Sequence, residues 1–109
     1  MVNKYIRNGE VAVLYSPGFG AGWSTWNSGD GDKAEFMMYD SQLVECVLND
    51  KKDDIPKILE KQFPGQYVCI LGLKDLRVGW LRDGTAFRIT KYDGSESVET
   101  IGDINFSVA

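Results

Sequence analysis

Between Gly18 and Asn27 the chain reads GFGAGWSTWN, which brings Gly18, Gly20 and Gly22 together with two indoles, Trp23 and Trp26, and the polar side chains of Ser24, Thr25 and Asn27. Main-chain N–H groups left open by glycine can meet an anion, the hydroxyls and the amide can orient polar groups, and indole faces can stack on a flat ring or a sugar. The stretch therefore predicts one wall of a site for a nucleotide-like or other small polar ligand. Two other readings stay open. The glycines can simply turn the chain while both indoles fold inward to cap the core, or the indoles can anchor a partner protein.

Other chemistries are excluded or left without support. The chain has no histidine, which removes the commonest general base near neutral pH and the commonest metal ligand. GFGAG has Trp23 where a dinucleotide fingerprint needs its third glycine, and no Gly-Lys-Ser/Thr follows, since the next lysine is Lys33. In NSGDGD, Asn27 to Asp32, only Asp30 and Asp32 alternate, which is not a calcium loop. Cys46 and Cys69 lie in apolar runs without ligand-like spacing and read as buried, reduced thiols. No metal, cofactor or catalytic residue is expected, and the chain reads as non-enzymatic.

The elements that must position the loop are marked by turn and period signals. Asn8-Gly9 predicts a hairpin between a strand at Lys4 to Arg7 and a stronger one at Glu10 to Ser16. Ala34 to Tyr39 is short and apolar and is read as a strand. Asp40 caps a helix carrying Leu43, Val44, Val47 and Leu48, and a second helix begins at Asp53 or Asp54, takes Pro56 in its first turn and stops at Pro64-Gly65. Tyr67 to Leu71 reads as a continuous apolar strand. Asp83-Gly84 and Asp93-Gly94 then predict a meander of strands at about 76–82, 85–92 and 95–101, with a final strand at Ile104 to Val108.

Around Asp83-Gly84 the meander register sets Trp80 opposite Phe87. Around Asp93-Gly94 it sets Ile89 opposite Val98, Arg88 opposite Glu99 and Glu96 opposite Lys91, so that Glu96 and Glu99 are accounted for as cross-strand ion pairs. The same register gathers Leu81, Ala86 and Ile101 into a small apolar patch, which the glycine-rich loop, a chain terminus or a second copy of the chain can cover. With 109 residues, these elements make a single α+β domain: a mostly antiparallel sheet with a C-terminal three-strand meander and two helices packed on one face. Twelve basic against sixteen acidic residues give a net charge of −4, so nucleic acid is a poor partner. No apolar run is long enough for a membrane span or an export signal, and the expected setting is the cytoplasm.

The runs GAGWSTWN (Gly20 to Asn27), AEFMMYDSQLVE (Ala34 to Glu45) and RDGTAFRITKYDGSES (Arg82 to Ser97) together resemble a group of small uncharacterised proteins of phages and prophages. The resemblance implies a mobile-element protein that sequesters a small signal molecule or blocks a host protein. Two functions follow: a binding module that takes a small ligand through the Gly/Trp loop, or an acidic protein-interaction module that inhibits a host factor.

Overall fold

The computed structural model describes residues 2–18, 22–27, 31–92 and 95–100. Strands β1 (Ile6–Arg7) and β2 (Glu10–Tyr15) form the expected hairpin. Asn8 and Gly9 both have positive φ, 54° and 80°, as a two-residue turn matched to strand twist requires. The other edge of β2 pairs antiparallel with β3 (Arg77–Arg82), which sets Trp80 opposite Ala12 and Val78 opposite Leu14. This corrects the expected ladder between β3 and the strand after it. Asp83-Gly84 still turns the chain, with Gly84 at φ 88°, but the Asp83 N–H donates to Gly9 O at 3.0 Å, so the turn rests on the first hairpin. Ala12, Val13 and Leu14 are fully buried, and burial beside them outweighs what a local hairpin offers Val78 and Trp80.

Strands β4 (Phe87–Tyr92) and β5 (Ser95–Thr100) form a separate two-stranded sheet in the expected register, Ile89 opposite Val98 and Arg88 opposite Glu99. Three meander strands thus become a pair plus one strand in another sheet. The turn residues Asp93 and Gly94, Ile101 and the strand expected at Ile104 to Val108 lie outside the described residues.

Three helices are described rather than two. Gly31–Tyr39 is α1, so the strand expected at Ala34 to Tyr39 is a helix. Its residues are mostly good helix formers, and Phe36 and Met37 turn inward on neighbouring positions, a spacing too short to reveal its period. The Phe36 ring meets Phe63 edge-on at 5.4 Å. Helices α2 (Ser41–Leu48) and α3 (Ile55–Gln62) follow the sequence signals, with Pro56 in the first turn of α3. One core joins Met37, Leu43, Val44, Ile55 and Leu59 from the helices to Ala12, Leu14, Leu76 and Trp23. The strand expected at Tyr67 to Leu71 is irregular instead. Its main chain is paired with a side chain, as described below, and Tyr67 and Leu71 face solvent.

Asp40 joins α1 to α2. Its carboxylate accepts from the N–H groups of Gln42 and Leu43 at 3.0 and 3.2 Å. Removing that cap in Asp40→Ala should lower stability by about 1 kcal/mol. Burial raises its carboxyl above the usual 3.8, against the two N–H groups that lower it. The folded chain therefore holds this proton to higher pH than the unfolded chain, and the site's contribution falls as pH rises through the window just above 3.8. Asp40→Asn keeps the acceptor and removes the proton. Urea unfolding between about pH 3.5 and 6 should show a flatter profile for Asp40→Asn than for the wild type, and parallel profiles would remove Asp40 as the source.

Candidate functional site

The Gly/Trp stretch is built around a residue from the far end of the chain. Glu96, on β5, is 1% exposed, and its carboxylate accepts four hydrogen bonds. Oε1 takes the Ser16 N–H at 2.9 Å. Oε2 takes the Trp23 N–H at 2.9 Å, the Thr25 N–H at 3.0 Å and the Thr25 hydroxyl at 2.6 Å. Lys91 stands opposite Glu96 in the ladder, yet the expected ion pair is replaced by these donors. Main-chain dipoles and one hydroxyl, rather than a cation, stabilise the buried charge. The other expected pair is present, with Arg88 Nη2 3.0 Å from Glu99 Oε2 on the exposed face.

The two indoles have different roles. Trp23 is fully buried and donates Nε1–H to Met37 O at 2.6 Å, so it offers no stacking surface. Trp26 keeps 37% of its surface and lies against Gly22, where a Cβ would collide with its ring. Gly18 leaves room for the Asp75 carboxylate, which a Cβ there would displace. These glycines serve close packing under large or charged neighbours. Gly20 lies outside the described residues, as do Ser28 to Asp30 of the NSGDGD run, while Asp32 falls in the first turn of α1.

Residues 24–27 form a single 3-10 turn in which Ser24 and Asn27 are buried. Asn27 is fully engaged: Nδ2 donates to Trp23 O at 2.8 Å and to Cys69 O at 3.0 Å, and Oδ1 accepts the Cys69 N–H at 2.9 Å. One side-chain amide thus stands in for a strand partner at Cys69, which is why Tyr67 to Leu71 needs no ladder. The Trp23 N–H, Thr25 N–H and Thr25 O–H, expected to meet polar or anionic groups of a ligand, are instead bonded to a carboxylate of the chain itself.

No family model matches this chain, and no curated protein or solved structure matches it.

The predicted Leu81, Ala86, Ile101 patch is not assembled by β3 pairing with β4. Leu81 lies opposite Val11 and lines a hollow of about 210 Å³ with Val13, Tyr39 and Phe87, while Ala86 is exposed on the connection to β4. Sequence reasoning missed a different apolar surface. Tyr67 is 80% exposed and Leu71 66%, with Ile70 also exposed, around a Cys69 that is 6% exposed. Ile70 stands between two hollows: one of about 280 Å³ lined by Leu59, Phe63 and Val68, the other of about 740 Å³ lined by Leu71, Leu73, Asp50, Lys52 and Asp53. Three large apolar side chains in a run flanked by Pro64-Gly65 and Gly72 are the available signal, and by period they read only as a continuous apolar strand. Both cysteines are buried and free.

Proposed function

We propose that the chain is a non-enzymatic protein-binding module whose contact surface is Tyr67, Ile70 and Leu71. One observation carries this reading: three large apolar side chains stay exposed on a segment whose main chain is fixed at Cys69 by both ends of the Asn27 amide. A rigid apolar display suits partner binding because little entropy is lost on contact, and tyrosine is frequent among the anchors of such surfaces. The hollows beside Ile70 suit a partner with a protruding apolar side chain, and the rim of the larger one, with Asp50 and Asp53 beside Lys52 and Lys74, suits polar groups of either sign next to it. The net charge of −4 favours approach by a basic surface. The resemblance to phage and prophage proteins supports a host protein as partner, and the two reduced thiols suit a cytoplasmic setting.

The small-ligand alternative at the Gly/Trp loop loses support while Glu96 is docked, because the groups it needs are buried or already bonded. No helix among the described residues is long and apolar enough to cross a membrane.

A photo-crosslinking residue placed at Tyr67 should capture a host protein, and that protein, once purified, should bind the wild type. The double variant Tyr67→Ser, Leu71→Ser should keep its stability within about 0.5 kcal/mol, as exposed positions do, and lose at least tenfold in affinity by titration calorimetry. Unchanged affinity in the double variant, or no crosslinked partner, overturns the proposal.

A further inference from the structure

The pocket that holds Glu96 has the construction of a receptor. Its donors come from Ser16, Trp23 and Thr25, and the first two residues are held by bonds that do not involve Glu96. Ser16 Oγ–H donates to Gly72 O at 2.9 Å, the Trp23 indole is tied to Met37 O, and Asn27 ties Trp23 O to Cys69. Such support pre-organises the Ser16 and Trp23 donors, with Thr25 next to them in the turn that Asn27 closes, so the receptor should persist when the acceptor leaves. Ser24 Oγ is buried in the same turn with no hydrogen-bond partner among the described residues, which leaves the turn one donor beyond those Glu96 uses.

The acceptor is carried by an arm. Among the described residues β4 and β5 pair only with each other, and their apolar side chains Phe87, Ile89 and Val98 are half-buried and stand apart from the core cluster. Besides the carboxylate, the arm is tied to the body by the Glu96 N–H to Ser16 O at 2.8 Å, by Ser95 Oγ to Pro17 O at 2.6 Å and by the edge contact of Phe87 with Tyr39. A two-stranded hairpin is marginal by itself in water, so docking and lifting of this arm depend on its ties to the body, these bonds among them.

We propose that Ser16, Trp23 and Thr25 form a carboxylate receptor of which Glu96 is the resident ligand. When the β4–β5 arm lifts, the same four donors take a carboxylate from elsewhere, either a free small carboxylate or Glu96 of a second copy. A planar two-oxygen monoanion fits because the donors divide between two oxygens, whereas a phosphate would bring a second charge and further oxygens into an enclosed site.

The test is chemical rescue of Glu96→Ala. Sodium acetate should stabilise this variant in a saturable way, raising Tm by about 5 °C at tenfold above its Kd, while chloride at equal ionic strength and neutral acetamide should not. If the variant is unfolded in chloride, acetate should restore its near-ultraviolet tryptophan signal. In the wild type, acetate but not chloride should speed hydrogen exchange at the Glu96 amide, which reports the lifted arm. Acetate that acts alike on the variant and the wild type, or on neither, overturns the proposal. Sedimentation of the wild type separates the two sources: a dimer abolished by Glu96→Ala and by acetate assigns the ligand to a second copy, and a monomer at all concentrations assigns it to a free carboxylate.

Discussion

Glu96→Ala, measured by urea unfolding in chloride, should lose about 4 kcal/mol of stability. Hydrogen bonds to a charged group contribute about 1.5 to 3 kcal/mol each, and donors stranded in a buried site cost about 1 to 3 kcal/mol apiece. Four donors converge on this carboxylate, so even partial entry of water leaves a large deficit. Glu96→Gln should recover only part of it. Its amide presents one oxygen and two N–H groups to a site in which both oxygens receive main-chain N–H donors, so one N–H must face another. The control is Glu99→Gln. That carboxylate pairs with Arg88 on the solvent face, where side chains are 65% and 37% exposed, and its loss should stay below about 1 kcal/mol. Equal losses at Glu96 and Glu99 would show that the Glu96 carboxylate is solvated.

The second large effect separates the indoles. Trp23→Ala should cost about 4 kcal/mol, because it opens a cavity in the core and strands Met37 O. Trp23→Phe should cost about half as much, as it keeps most of the volume and loses the hydrogen bond. Trp26→Ala should cost about 1 kcal/mol, since the ring is part-exposed and packs on Gly22. Emission spectra of the single variants should agree with this order: over the common contribution of half-buried Trp80, the shielded emission falls in Trp23→Ala and is kept in Trp26→Ala. A larger loss at Trp26 than at Trp23 would reverse the assignment of inner and outer ring.

These two residues mark where sequence reasoning stopped. Composition and spacing point to GFGAGWSTWN as the wall of a site for a small polar or anionic ligand, whereas in the fold its N–H groups meet a carboxylate of the chain itself. Its identity was also within reach, because in the β4–β5 register Glu96 shares a face with Val98 and Thr100, as Phe87, Ile89 and Lys91 do on the other strand. That parity points Glu96 inward. Reading it instead as the partner of Lys91 treated an inner position as a surface one. Trp23 and Trp26 are three residues apart in one turn, and no local signal tells which ring is sealed, since that depends on where Met37 O lies.

Short-range rules account for a definite part of this protein. Asn8-Gly9 makes its hairpin, Asp40 caps α2, Pro56 opens α3, and alternation between residues 87 and 100 sets one register, because in each case the interacting groups lie within a few residues and the geometry of turn, cap or pleat has few solutions. Everything that depends on partners distant in the chain was settled by the folded molecule. β3 joined β2 across more than sixty residues instead of taking the hairpin offered by Asp83-Gly84, α1 became a helix where Phe36 could pack on Phe63, and Asn27 displaced a strand at Cys69. Burial and long-range pairing contribute more free energy than local propensity at such positions, and neither is visible before the chain has closed on itself.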